Sequence, residues 1–443
     1  MEITWLIMNM SLLAVYAAPV LLTMFWYLRR HIRVDRHGRA VHAEAKEAGL
    51  VEPASLHPVI DPVRCLGCGA CVRACPEEPQ HHVLGIIDGK AQLVGPTECI
   101  GHGACKAACP FDAISLVFGT ETRGLDLPVL NASFESNVPG LYIAGELGGM
   151  GLIRNALIQG RQAIESVAKS SRRAPGKRLD VLIVGAGPAG MAAALTAKAM
   201  NLTYRCIEQE SLGGCVYKYP RGKLVMTAPV DLPLVGKLFF RQTSKEHLLG
   251  VWTEIMQTHQ LRIQVSERVE NIEQDGDGFI VRTPKAAYRA SSVLLAIGRR
   301  GTPRKLAVPG EELPKVVYRL IDPDQYIGQD VLVVGGGDSA LEAAASIAEV
   351  QGTQVTLSYR GDAFGRAKPK NRQRVAQAAD RGNLKLMLSS SVSHIHPDLV
   401  ILEQGGKQHE IPNRAVIVSA GGVLPNEFLN KIGIRVETKY GTA

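Results

Sequence analysis

The sharpest hydrophobic contrast in the chain lies at its start. Residues 3–28 run 26 positions without a charge, and Arg29, Arg30, Arg33, Arg36 and Arg39 follow at once. As a helix this run would reach about 39 Å, against a hydrocarbon core of about 30 Å. It lacks the basic leader and short apolar core of a secretory signal. With Trp5, Trp26 and Tyr27 near its ends, the run predicts a transmembrane anchor over residues 1–30. The arginines then put the remainder on the cytoplasmic side of an inner membrane, as a single-pass protein. Residues 31–60, with a helix-like stretch at 43–50 and Pro53 and Pro58 beyond it, read as a linker. Further along, short β-branched runs at 180–184, Tyr204–Ile207, Asp330–Val334 and 354–359 alternate with Ala-rich helical stretches. That pattern predicts strand, turn, helix, strand, twice over, about 150 residues apart.

Composition narrows the class without changing this outline. Apolar residues make up 46% and charged residues 21% of 443, which disfavours both a disordered chain and a multi-span membrane protein. The length suggests roughly three units. The net charge of +8 owes much to the arginines after residue 28 and leaves no nucleic-acid footprint. Seven of the nine cysteines fall between positions 65 and 109. Such clustering points to metal before disulfide.

Cys65-Leu-Gly-Cys68-Gly-Ala-Cys71-Val-Arg-Ala-Cys75-Pro76 is the C-x2-C-x2-C-x3-C-P run that wraps a cubane iron–sulfur cluster. A structural zinc site is the bland alternative, disfavoured because a second run follows. That run is Cys99-Ile-Gly-His102-Gly-Ala-Cys105-Lys-Ala-Ala-Cys109-Pro110, with His102 where the second cysteine would stand. Residues 61–118 resemble a bacterial two-cluster ferredoxin. That resemblance implies crossed ligation: Cys65, Cys68, Cys71 and Cys109 on one cluster, and Cys75, Cys99 and Cys105 on the other, with His102 as its expected fourth ligand. An imidazole there would remove one negative charge and raise the potential. A three-iron cluster is the alternative. His81 and His82 read as solvated loop residues.

The run at 180–184 leads into Gly185-Ala-Gly187-Pro-Ala-Gly190, and the next strand ends at Glu208. This is the dinucleotide fingerprint in its required context: a tight turn, a close backbone approach to pyrophosphate, and an acid for a ribose hydroxyl. The pattern recurs as Gly335-Gly-Gly337-Asp-Ser-Ala340, but the following strand ends in Tyr359 and Arg360, with Arg366, Lys368 and Lys370 nearby. Arginine at that place suits a 2′-phosphate, so NADP(H) is expected over NAD(H). A solvated cationic loop is the alternative.

Residues 180–443 resemble the thioredoxin-reductase-like pyridine-nucleotide flavoproteins, with FAD on the first unit and NADPH on the second. Ala296-Ile-Gly298 and Ser419-Ala-Gly-Gly422 match the crossovers, and Gly213-Gly-Cys215-Val-Tyr217-Lys-Tyr219-Pro220 resembles the bacillithiol-disulfide-reductase-like subgroup. Thioredoxin reductase's paired redox cysteines are missing. The family's closing segment is also missing from the C-terminus and is found upstream, as Val138-Pro-Gly-Leu-Tyr-Ile-Ala-Gly145-Glu146 and a helix-like stretch at 152–168. A circular permutation of the FAD domain is inferred, its junction in the polar run 169–177. Carried over, Gly145 and Glu146 would face the flavin's ribityl chain, and Asn155 and Ala156 its pyrimidine edge. The ferredoxin-like module leads into this segment at about Gly119, so clusters and flavin are expected close together.

The expected fold is therefore α/β. Two Rossmann-like dinucleotide-binding domains, for FAD and NAD(P), follow a small α+β dicluster ferredoxin domain and one N-terminal transmembrane helix. The boundaries are 1–30 anchor, 31–60 linker, 61–118 dicluster domain, 119–170 permuted FAD segment, 171–303 FAD-binding domain, 304–420 NAD(P)-binding domain and 421–443 return to the FAD domain. The function implied is a membrane-anchored iron–sulfur flavoprotein oxidoreductase passing electrons between NADPH, FAD and two iron–sulfur clusters. The far partner would be a membrane enzyme of quinone or cytochrome type, or a soluble ferredoxin-like carrier. A thiol or disulfide reductase using Cys215 alone, and a non-turning relay subunit of a membrane complex, are the alternatives. Direction of flow and oligomeric state, a homodimer included, are left open.

Overall fold

The computed structural model describes the chain apart from residues 1, 48–51, 54–55, 79–81, 122–123, 150, 171–177, 227–228, 240–241, 300, 366 and 442–443, and apart from the side chains of 2–15, 224, 226 and 242. Its contacts divide it into two units, one ending at Val117 and one beginning at Phe118.

The first unit opens with a helix, Glu2–Glu47, that runs on through most of the expected linker. Asp35 and Arg39, one turn apart, explain part of this continuity. Arg39 donates to Asp35 at 2.7 Å and also to Asp88, while Asp35 accepts the Asp88 N–H at 2.6 Å. The helix is thus tied in its last third to the tip of a hairpin, Leu84–Ile87 with Lys90–Leu93. The expected membrane span is not found: among the described residues no helix is long and apolar enough to cross a membrane. Around the cysteines, His57–Ile60 pairs antiparallel with Ile114–Val117, and two short helices, Ala70–Ala74 and Ala104–Ala107, carry Cys71 and Cys105.

The second unit holds two main sheets, one mixed and one parallel. In the first, Leu179–Val184 lies between Tyr204–Ile207 and Ala287–Leu295, all parallel, with the antiparallel strands Gly278–Arg282 and Asn271–Asp275 beyond. Leu141–Ile143, far upstream in sequence, pairs parallel with the end of Ala287–Leu295, Val293 facing Leu141 and Leu295 facing Ile143. All three of its residues are buried. Helices Ile153–Lys169 and Pro188–Ala199 pack together on this sheet at the closest approach backbones allow. A Cβ on Gly160 would stand 2.0 Å from the Ala189 carbonyl oxygen.

The second sheet is parallel throughout, in the order Val316–Val317, Ala415–Val418, Asp330–Val334, Gln354–Ser358, Leu384–Met387. The chain crosses between the two halves through Thr302–Pro303 and Gly422–Val423, which pair antiparallel. Its last strand, Val436–Lys439, returns to pair with Leu125–Pro128.

Candidate functional site

The two cysteine motifs fold alike because the same backbone problem is solved twice. Gly69 and Gly103 each cap a short helix in the left-handed region, at φ of +69° and +78°, and turn the loop so that Cys71 and Cys105 enter the interior. Cys65, Cys71, Cys75 and Cys105 are buried, Cys99 and Cys109 half-buried and Cys68 exposed. Cys75, Cys99, His102 and Cys105 border one small cavity together with the buried carboxylate Glu77. Cys71 instead lies within electrostatic reach of Cys65 and Cys68, as well as Cys105. Burial first, and neighbouring thiols second, push Cys71 and Cys99 up to about 11. Cys75 and Cys105 are raised by burial too, and burial lowers His102.

Thiols held protonated in this way need a cation to become thiolates, which the iron of a bound cluster would provide. Backbone donors are already aimed at two of the sulfurs: the Ala91 N–H at Cys65, 3.3 Å away, and the Ala113 N–H at Cys109, 3.4 Å away. Among the described residues no three His, Cys, Asp or Glu side chains converge on a single-ion site. The spacing fits a polynuclear cluster, which sets its own atoms between its ligands. His82 pairs with Glu78 at 3.3 Å and stacks edge-on against His37, while His81 lies outside the described residues.

In the second unit both Gly-rich loops open on one cleft of about 1890 Å³, larger than the roughly 300–1,000 Å³ typical of a single small-molecule pocket. Gly185, Gly187 and Glu208 line it from the first loop, and Gly145, Glu146 and Ala156 from the upstream segment. Gly190 works from beneath: a Cβ there would stand 1.8 Å from the Gly185 carbonyl oxygen, so no larger residue lets the turn close on its helix. Gly187 and Gly214 face each other backbone to backbone, leaving a slot with no side chain in it at the start of Pro188–Ala199. A helix N-terminus behind such a slot suits a pyrophosphate. The buried Glu208 carboxylate accepts the Ala186 N–H at 2.8 Å and the Glu210 N–H at 3.0 Å, which offset its burial and hold it at the strand end. The site therefore fits an adenine dinucleotide. Asn155, one residue before Ala156, is not among the lining residues.

On the other side Gly335, Gly337 and Arg360 line the cleft, while Ala340 is buried below the loop. Arg366 lies outside the described residues. Arg360 is exposed and forms no ion pair among the described residues. Asp338, Asn371 and Tyr359 matter here, and sequence reasoning assigned none of them a role. Asp338 accepts the Lys368 N–H at 2.8 Å and the Asn371 side-chain amide at 2.7 Å, fastening the cationic loop to the Gly-rich one. Tyr359 fills the space above Gly336, where a Cβ would lie 2.3 Å from its ring, and stacks on Phe364 at 5.6 Å. An aspartate opening a helix was the only local signal for the clamp, and the tyrosine carried none. Of the two remaining cysteines, Cys206 is fully buried and its thiol raised by that burial, whereas Cys215 lines the cleft, 3.7 Å from where a Gly298 Cβ would stand.

Two Gly-rich strand–turn–helix units facing one cleft define a two-dinucleotide oxidoreductase. Comparison with known proteins gives the family. The model for the pyridine nucleotide-disulphide oxidoreductases matches residues 182–442, well over half of the chain, and the chain belongs to that family. A 4Fe-4S dicluster domain matches residues 57–110. A ferredoxin–NADP reductase of Ignicoccus hospitalis is 31% identical over 268 residues, which cover 59% of this chain and 83% of the relative. The bacilliredoxin reductase Bdr of Bacillus subtilis is 26% identical over 59% of this chain and 82% of its own. Among solved structures, the bacillithiol disulfide reductase Bdr of Staphylococcus aureus aligns at a TM-score of 0.52 and 25% identity, over 60% of this chain and 86% of that one. The protein is thus a flavin-dependent pyridine-nucleotide oxidoreductase with a 4Fe-4S dicluster domain.

Proposed function

We propose that the protein moves electrons between NADPH and a one-electron carrier of ferredoxin type, by way of FAD and two iron–sulfur clusters. The observation that carries this reading is covalent: a two-cluster cysteine unit runs directly into a two-dinucleotide unit, Val117 into Phe118. Several relatives bear the name ferredoxin–NADP reductase, which agrees with it. Bound there, the nicotinamide and flavin would supply hydride transfer, and the flavin would convert paired electrons into single ones for the clusters.

The residues divide the work. Gly185, Gly187 and Gly190 seat the FAD pyrophosphate, and Glu208 takes the ribose hydroxyls. Gly145 and Glu146 meet the ribityl chain, with Ala156 at the flavin's far edge. Support for this use of an upstream segment comes from the pairing of Leu141–Ile143 within the flavin-side sheet, which is what a circular permutation requires. Gly335, Gly337 and Ala340 seat the NADPH pyrophosphate. Arg360, with Arg366, meets the 2′-phosphate, and the absence of an ion pair on Arg360 among the described residues supports this. The exposed apolar residues Leu21, Leu22, Phe25 and Trp26 beside Arg29 and Arg30 support a place at the cytoplasmic face of a membrane, where a membrane redox partner would be reached. Fractionation of cells under high salt tests that placement, and wholly soluble protein excludes it.

Anaerobic titration with NADPH and then NADH, following flavin bleaching optically and the clusters by EPR, tests the function. Flavin bleaching with a developing cluster signal supports it. Bleaching without a cluster signal places the physiological flow from a low-potential donor towards NADP+. No response at all excludes turnover and leaves a relay subunit. Because Cys215 lines the cleft, a thiol or disulfide reductase is the second reading, and it requires that Cys215→Ser abolish reduction of a disulfide substrate while sparing flavin bleaching.

A further inference from the structure

We propose that His102 is not an iron ligand. It donates an N–H···S hydrogen bond to Cys75, and the second cluster rests on three thiolates, Cys75, Cys99 and Cys105, with one iron open to an exchangeable small ligand such as water or hydroxide. The inference rests on the two-cluster reading of the first unit.

Two features of the geometry carry it. The Nδ1 atom of His102 accepts the Ala104 N–H at 3.0 Å. An imidazole that accepts at Nδ1 is neutral and keeps its single proton on Nε2. That Nε2 stands 3.9 Å from Cys75 Sγ, within reach of an N–H···S bond. To bind iron, Nε2 would have to give its proton to Nδ1, where it would point at the Ala104 N–H, donor against donor. Ligating histidines have the opposite arrangement, with the second nitrogen donating to a carbonyl or carboxylate.

The separation argues the same way. Ligands to two different irons of a cubane diverge from each other, so a ring nitrogen in contact with one thiol cannot sit on the next corner. His102 and Cys75 behave as one ligand and its supporting donor, and Glu77 borders the same cavity. Such a donor draws charge from the thiolate and raises the cluster's potential.

The test uses the full-length chain, reconstituted anaerobically with iron and sulfide and labelled with 15N-histidine. Two clusters should load. On titration with ferricyanide, the exposed 4Fe–4S core in its 2+ state gives one electron to the oxidant and one Fe2+ to solution, leaving a 3Fe–4S core in its 1+ state. About one iron per chain is therefore released and the EPR signal of a three-iron cluster appears. Pulsed EPR of the reduced protein should show only weak coupling to histidine nitrogen. In His102→Ala both clusters and the iron release persist, while the second cluster's potential falls. In His102→Cys a fourth thiolate suppresses the release.

Strong, directly bonded 15N coupling in the wild type, with no iron released, overturns the proposal, and this measurement needs no variant. An unchanged potential in His102→Ala overturns the hydrogen bond. A chain that loads only one cluster overturns the two-cluster reading and the proposal with it.

Discussion

The two Gly-rich units of the second domain begin alike and end differently. Each sets a strand, a turn of backbone and a helix N-terminus against the same cleft. The first strand pair ends in a buried carboxylate held by two amide donors, and the second in an exposed arginine beside a tyrosine that covers the loop. On the proposed reading a shared frame would seat what all dinucleotides have in common, the pyrophosphate, while one residue at the end of the next strand would choose between a ribose hydroxyl and a ribose phosphate. The common part includes glycines with no room for a side chain, Gly185, Gly190 and Gly335. The selective part is built from side chains that can be exchanged.

Breaking the frame should cost most. Gly190→Val places atoms inside the Gly185 carbonyl, and the purified variant is expected to lose nearly all bound flavin, read from its visible spectrum against protein concentration. Retention of flavin would show that the turn can be rebuilt. Removing the selective charge comes next. Arg360→Ala should raise KM for NADPH by about 10- to 100-fold, the worth of a charge-assisted hydrogen bond of about 1.5–3 kcal/mol, and leave KM for NADH unchanged. Equal effects on both cofactors would remove Arg360 from the 2′-phosphate.

Asp338→Ala releases the Lys368 and Asn371 contacts and should raise KM for NADPH about fivefold, about 1 kcal/mol, with flavin content intact. A loss of flavin instead would show that the clamp serves the whole domain.

The smallest effect is one of pH. Arg221 donates to Asp322 at 2.9 Å, and this bond holds the aspartate carboxyl below its ordinary range. A lowered folded pKa adds stability that is fully present above the ordinary carboxylate value of about 3.9 and is lost as pH falls through the lowered one. Wild type and Arg221→Ala should therefore differ slightly in Tm at pH 6 and converge in strong acid. A gap that persists in acid would assign the difference to packing.

Much of the chemistry was legible from local spacing. The cysteine runs and both Gly-rich loops announce themselves within a dozen residues, because cluster wrapping and phosphate approach depend on backbone turns made by neighbouring positions. The anchor was less legible. The uncharged run at 3–28 was countable, but the chain continues as one helix to Glu47 and is tied through Arg39 to the tip of a hairpin, contacts that hydropathy does not contain. The clamp from Asp338 to Asn371 spans more than thirty residues and left no trace in the motif itself.

By itself, then, the sequence determined the cofactor classes: four-iron spacing, two dinucleotide turns, and an acid at one strand end against an arginine at the other. These follow from covalent geometry and short-range sterics. Only the tertiary structure decided which distant pieces complete each site. Leu141–Ile143 enters the sheet beside Val293–Leu295 because a buried apolar strand must pair its backbone, wherever it lies in the chain. Cys75 shares a cavity with Cys99, His102 and Cys105 because two short helices turn their cysteines into one core. The Ala104 N–H that meets one ring nitrogen of His102, on which the role proposed for that residue rests, is likewise a contact made only in space.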